Sequence, residues 1–337
     1  MRRFAFALAA LVGAGCDGPA ERDGGLHDAG VLDDAGVLDD ASAPGDASAP
    51  GACVEFERPR VVGAIADAAL DELSGLAASR AAPGALYVHN DSGDGPRVFV
   101  IDAADATVRG VITLEGASAR DWEDIAVGPG ADGTPWVFVG DIGDNAARTG
   151  SGTPRANVAV HRFPEAAVSI GGSFGAASVV PETITLTYPD GPHDCESLAI
   201  AENGDLYLLS KVDAGLSTLY VARAPFAGAV TLEAVTTLDV GGPTITGGRQ
   251  TTAMDLSPSG RALLLRTYNR VHLFTREPGE PWASALERAP ARLPAASEPQ
   301  GEAIGWRADG RAYFTVSEAS MPPLSEYLPV TPDCTPW

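Results

Sequence analysis

The sequence predicts an all-β fold of five repeated four-stranded units, closed into a ring by its own two ends, and three observations lead there. Glycine (39) and proline (26) are abundant among the 337 residues while aromatics make up 7%, a composition suited to many short strands joined by turns. Five segments align on a turn glycine and each is followed by an apolar strand, the mark of a repeat architecture. Finally, the last unit lacks an outer strand, while a strand ahead of the first unit has no partner.

The chain opens with "MRRFAFALAALVGAGC", in which Arg2 and Arg3 precede an apolar run from Phe4 to Val12 and then small residues before Cys16. Nine apolar residues are too few to cross a bilayer and fit the core of a signal peptide, here residues 1–15. The ending "LVGAGC" resembles the lipobox of bacterial lipoproteins, with Gly13 where leucine is usual. That resemblance implies lipidation of Cys16 and an anchor in the bacterial cell envelope, on the outer surface or in the periplasm; ordinary secretion with Cys16 incidental is the other reading. Next come "DAGVLD" twice and "DASAPG" twice, a period of six from Asp28 to Gly51. Acidic, repetitive and without a core-forming pattern, residues 16–51 are expected to be a disordered tether.

Residues 52–337 form the predicted β-propeller domain. Its five units begin at "SGLAASRAAPG" (74–84), "EDIAVGPGADG" (123–133), "ESLAIAENG" (196–204), "TAMDLSPSG" (252–260) and "EAIGWRADG" (302–310). The second strands follow as "ALYVHND", "TPWVFVGD", "DLYLLSK", "RALLLRTY" and "RAYFTVSE". Third strands such as "RVFVID" and "VAVHRF", and fourth strands such as "VRGVITL" and "TITLTY", complete the blades. The units are spaced 49, 73, 56 and 50 residues apart; the long one has room for extra structure or a sixth blade. The last unit lacks an outer strand after "SEYLPV", and "RPRVVGAI" (58–65) is unpaired, so their pairing would close the ring. Closure brings Cys53 near Cys334, the expected disulfide of an exported protein, and leaves Cys195 as a free thiol.

Over residues 52–337, 36 acids face 20 lysines and arginines. So acidic a domain excludes nucleic acid as a partner and suits cations, neutral ligands or basic partners. In an antiparallel pair, the start of the first strand and the end of the second share one face. That rule gathers Ser74, Glu123, Glu196, Thr252 and Glu302 with Asn90, Asp91, Asp141, Asp144, Asn145, Lys211, Arg266 and Glu318 around one channel mouth. Glu123, Glu196, Glu302, Asn90, Asp91, Asp141 and Asp144 are the candidate ligands for a divalent cation, Ca²⁺ or Mg²⁺, both of which favour oxygen. Lys211, the one lysine in the chain, Arg266 and His193 are the candidate catalytic groups: two cations for an anionic substrate and a base for metal-bound water. The alternative use of Lys211 and Arg266 is to neutralise Glu196 and Glu302 across the channel. "NDSGDG" (90–95) reads as a turn rather than a calcium loop, since Ile101 stands where such a loop needs glutamate, and "GDIGDN" (140–145), with the same Asn, Asp and Gly, admits the same turn reading. His89, His161 and His272 are given no role.

"ELSGLAAS", "HNDSGD", "DWEDIAVG", "GDIGDN", "DCESLAI", "LLLRTY" and "PQGEAIGW" together resemble a group of exported bacterial β-propellers and, more distantly, phytase-like propellers. For a phytase proper, the resemblance implies several calcium ions and a strongly basic phosphate pocket. Lys211, Arg266 and Arg249 are the basic groups within reach here. Two functions are therefore expected as alternatives. One is a metal-assisted hydrolase of phosphoesters, esters or lactones. The other is a non-catalytic module with a structurally metal-bound or self-neutralised channel, meeting a small-molecule or protein ligand. A monomer is expected, touching membrane only through its lipid.

Overall fold

A computed structural model describes residues 51–241 and 247–337. The expected signal segment, Cys16 and the tether up to residue 50 lie outside the described residues. Among the described residues, 22 strands form five sheets, a single five-bladed β-propeller. The chain enters through β1 (Arg60–Ala64), which belongs to the last sheet. Blade I is β2 (Leu73–Ala78), β3 (Ala85–Asn90), β4 (Arg97–Asp102) and β5 (Val108–Leu114). Blade II holds β6 (Trp122–Pro129), β7 (Pro135–Asp141), β8 (Val158–Pro164) and β10 (Glu182–Thr187), with β9 (Gly175–Val179) in its β8–β10 connection. Blade III is β11 (Cys195–Ile200), β12 (Leu206–Ser210), β13 (Ser217–Ala222) and β15 (Glu233–Leu238), with β14 (Ala229–Thr231) between the last two. Blade IV is β16 (Thr251–Leu256), β17 (Ala262–Thr267), β18 (Arg270–Thr275) and β19 (Ala291–Leu293). Blade V is β20 (Gly301–Trp306), β21 (Tyr313–Ser317) and β22 (Pro323–Tyr327), completed by β1.

Closure follows the sequence expectation. β1 pairs antiparallel with β22, Arg60 opposite Glu326 and Ala64 opposite Pro323. Outside it, Cys53 and Cys334 are disulfide-bonded across 281 residues, and the Trp337 indole donates to the Cys53 carbonyl at 2.6 Å. Cys195 is free and buried.

The core lies between blades rather than inside one layer. Blades I and II meet through Tyr87, Val98, Ile125 and Phe163, and II and III through Phe138, Val160, Leu198 and Tyr220. Leu209, Met254, Leu265 and Phe274 join III to IV; Leu264, Leu273, Trp306 and Tyr313 join IV to V; Leu76, Phe99, Phe314 and Leu324 join V back to I. Inner strands are covered on both faces, which is why β2, β11, β16 and β20 are buried at every position. Outer strands face water on one side, and β5 and β10 accordingly mix buried with exposed positions.

The 73-residue spacing hides no sixth blade among the described residues. It holds the short helix α1 (Asn145–Thr149), a 3-10 turn (Glu165–Ala167) and β9. β9 runs back to pair in parallel with β5 of blade I, and β14 runs back likewise to β10 of blade II. Each is a fifth strand lent by one blade to the blade before it.

Candidate metal centre

One feature of the backbone recurs in all five blades. Where the first strand meets the second, the register skips one residue: between Leu73 and Gly75, Trp122 and Asp124, Cys195 and Ser197, Thr251 and Ala253, and Gly301 and Ala303. The skipped residues are Ser74, Glu123, Glu196, Thr252 and Glu302. A bulge re-aims its side chain, so each blade presents one polar side chain at an equivalent point of the ring. In two blades that chain closes the ring itself: the Ser74 hydroxyl donates to the Glu123 carbonyl at 2.7 Å, and Thr252 to that of Gly301 at 2.9 Å.

The other three bulge residues are buried carboxylates. Glu123 is 3% exposed and belongs to two overlapping groups, Asp91–Asp121–Glu123 and Glu123–Asp194–Glu196. In each, one oxygen per carboxylate lies within 4.8 Å of the others. The Glu123 carboxylate makes no hydrogen bond or ion pair among the described residues. Its pocket is close-fitting, since a Cβ on Gly143 would fall 2.1 Å from Glu123 Oε1 and 2.6 Å from Asp121 Oδ2.

Charge is crowded here. Burial, then Glu196, Asp91 and Asp121, hold the Glu123 carboxyl well above its ordinary range. Burial and Asp121 push Asp91 up to about 7. Burial and Glu196 lift Glu302 to about 8, and burial with Asp194 raises Asp121. The counter-charges at the cluster are Arg148, whose guanidinium pairs with Asp194 at 2.7 Å, and Lys211. The Lys211 ammonium is paired with Glu196 and donates to the Tyr268 hydroxyl at 2.7 Å. Burial works against that charge, but Glu196, Tyr268, Glu302 and Glu123 outweigh it and keep Lys211 protonated. Glu196 still rises to about 7, because burial and Asp194 exceed what Lys211 returns.

The remaining expected residues have other partners. Asn90 donates to the Ala69 carbonyl at 2.6 Å and to Asp94. Asp141 accepts from Ser118 at 2.6 Å and pairs with Arg155 at 2.9 Å; these offset its burial and hold its carboxyl low. Asp144 caps α1 by accepting from the Ala147 amide and also accepts from that of Arg155 at 2.6 Å. Asn145 accepts from Arg148. Arg266 is ion-paired with Glu298 rather than Glu302, and donates to the Ala303 carbonyl. Glu302 accepts from Gln300 at 2.9 Å, and Gln300 also donates to Glu318. His193 lies 3.1 Å from Asp190 and packs on the rings of Tyr188 and Tyr220. It lines a cavity of about 300 Å³ together with Arg148, Asp194, Lys211 and Asp213, so the cavity and the second carboxylate group share Asp194.

Three residues of the mouth escape the sequence reading: Asp121, Asp194 and Tyr268. A signal for them exists. The position two before each bulge is Glu72, Asp121, Asp194, Gln250 and Gln300, polar in every blade. Tyr268 follows β17 as Lys211 follows β12 and Asp91 follows β3.

The chain matches no protein-family model. It also matches no curated protein sequence. Among solved structures it is similar to an aldose sugar dehydrogenase from Streptomyces coelicolor, in its PQQ-bound form, at 14% identity and a TM-score of 0.44 over 83% of this chain and 99% of that one. A likeness of that size bears on neither fold nor chemistry here; both rest on the sheets and side chains described above.

Proposed function

We propose that the acidic mouth binds a divalent cation, Ca²⁺ or Mg²⁺, with Glu123 as the shared ligand, and that the protein is an envelope-anchored hydrolase of phosphoesters, esters or lactones. The observation that carries the metal reading is Glu123 itself: a buried carboxylate, crowded by four others, with no hydrogen bond or cation of its own among the described residues. Burial and the surrounding carboxylates make the charged form of Glu123 expensive, and an all-oxygen donor set suits a hard cation. When bound, such an ion polarises a substrate oxygen and lowers the pKa of a coordinated water. This chain's own residues would do the rest. Lys211 and Tyr268 stand where an anionic oxygen could be met. His193 lines the cavity of about 300 Å³ beside Asp194 and is the candidate base of this reading.

The Lys211–Glu196 ion pair favours a second reading, a non-catalytic binding module whose channel is partly neutralised from within. Calorimetric titration of metal-free protein with Ca²⁺, Mg²⁺ and Mn²⁺, repeated with Glu123→Gln, separates the two. Binding that weakens at least tenfold in the variant supports the metal centre; absence of binding by all three ions removes it. Turnover of p-nitrophenyl phosphate, p-nitrophenyl acetate or a lactone by the loaded protein then supports catalysis, and its absence leaves the binding module. Export and anchoring rest on residues 1–16 alone. Cys16→Ser should move the protein from the membrane to the soluble fraction.

A further inference from the structure

The opposite mouth of the channel, on the side of the hairpins joining first and second strands, has a different chemistry. Arg80 follows β2 there and lines a cavity of about 110 Å³ with Val127, Pro129, Ile200, Glu202 and Ser257, contributed by the ends of the inner strands of four blades. The backbone carrying Arg80 is fixed from the neighbouring blade. Both the Arg80 and the Ala81 amide donate to Glu165 Oε2, at 3.0 and 3.1 Å, and the Tyr87 hydroxyl donates to Glu165 Oε1 at 2.9 Å. Glu165 is 2% exposed, so a buried carboxylate is committed to holding this one turn.

The Arg80 guanidinium, by contrast, has no hydrogen bond or ion pair among the described residues. The acidic groups around it are otherwise engaged. Glu202 on the cavity wall is paired with Arg276 at 2.7 Å. Asp255, buried in β16 of blade IV, accepts from the Trp306 amide at 2.7 Å and is close enough for the charge of Arg80 to offset part of the effect of its burial. Pro129 is also a wall of a second cavity, of about 340 Å³, bounded by Gly130, Arg162, Asn203, Pro225 and Phe226. In it the Arg162 guanidinium lies over the Trp136 and Phe226 rings, 5.3 and 5.2 Å from their centroids.

We propose that this mouth is a binding site for a small oxyanion, a carboxylate or phosphate group held by Arg80, with any attached carbon body lying over Pro129 toward Phe226. A planar fork of five donors on a fixed backbone suits bidentate recognition of either group. The first cavity takes the charged head and the second an apolar body. The site is separate from the acidic mouth, so its occupancy does not depend on a divalent ion.

Inorganic phosphate, acetate and benzoate, each titrated into the intact protein in the presence of chelator, test this by calorimetry at constant ionic strength. A saturable signal is expected for phosphate or acetate, lost at least tenfold in Arg80→Gln and partly retained in Arg80→Lys. Benzoate binding more tightly than acetate would place the carbon body, and equal affinities would remove that half of the proposal. Phosphate and acetate compared directly show which head group is preferred. No saturable signal from any of the three, or equal affinity in the protein and in Arg80→Gln, overturns the site. Should Arg80→Gln not fold, Phe226→Ala and Arg80→Lys provide the same comparison, and unchanged benzoate and phosphate affinities in both overturn it equally.

Discussion

Lys211 and Glu123 are the residues at which a metal centre and a self-neutralised channel make different demands. Lys211→Met leaves Glu196 buried without its cation, and loss of one partner of a buried pair costs about 3–5 kcal/mol. The loss should be read by urea denaturation at pH 8, and should shrink at pH 5, where Glu196, lifted to about 7, carries a proton and needs no counter-charge. Glu123→Gln has the opposite signature. Removing a carboxyl whose charged form is disfavoured by burial and its neighbours should leave metal-free stability unchanged or raised, while ion affinity falls at least tenfold. Much of this mouth was legible in sequence, because aligning the turn glycines placed Glu123, Glu196 and Glu302 in one column, and that column is the bulge. In the pairing register Asn90 and Asp141 are the ends of β3 and β7, opposite Leu73 and Trp122, and their side chains are taken up by Ala69 and Asp94 and by Ser118 and Arg155. Side chains alternate faces along a strand, and the residues just past β3, β12 and β17, namely Asp91, Lys211 and Tyr268, stand together at the mouth; of these Tyr268 carries no signal in the alignment of turn glycines. Arg266 lies deeper in β17, opposite Ala253, and meets Glu298 between blades.

At the level of elements, the four-stranded blades were readable because their first three strands are apolar runs between glycine turns, whereas the lent strands carry almost no pattern. β9 and β14 are five and three residues long and largely exposed. Their place is set by backbone pairing across blades, which a local hydrophobic period does not encode. Only the 73-residue spacing hinted that material was left over. Gly110 offers a way to test what β9 contributes. A Cβ there would fall 2.7 Å from the Phe174 ring and 2.8 Å from the Gly175 carbonyl, so the β5–β9 pair tolerates no side chain at that point. Gly110→Val should cost about 1–3 kcal/mol by overpacking. In hydrogen exchange the amides of Gly175–Val179 should lose protection while those of β2–β4 keep theirs. Equal loss throughout blade I would mean that β9 is integral to the blade rather than a strap laid along it.

For the molecule as a whole, closure joins first and last strands, and the disulfide lies outside that seam. Replacing Cys53 and Cys334 by serine should lower stability by about 2–5 kcal/mol without opening the ring, because β1 and β22 stay paired and Leu76, Phe314 and Leu324 still bind blade V to blade I. Unfolding that becomes non-cooperative in the variant would show that the β1–β22 seam fails alone. The charge of the ring gives the wider test. With Asp91 and Glu196 lifted to about 7 and Glu302 to about 8, the native state keeps protons that the unfolded chain releases near its ordinary carboxyl values. Metal-free stability therefore falls as pH rises toward 8, the reverse of a salt-bridged carboxylate. His89 and His272, held neutral by burial and lowered to about 4, act in the other direction: their contribution is intact above the ordinary imidazole value and is lost as pH drops toward 4. The two effects oppose each other below about pH 6.5, which leaves pH 6.5 to 8 as the window in which the carboxylates act alone. A cation binds the deprotonated ring, so the stabilisation it brings should grow across that same window, reaching about 2.7 kcal/mol at a free concentration one hundred times its dissociation constant. Thermal melts with chelator and with Ca²⁺ at pH 6.5, 7.2 and 8 should thus diverge as pH rises. Parallel curves would mean that the buried carboxylates are balanced by Lys211 and their own protons, with no ion needed to hold the mouth together.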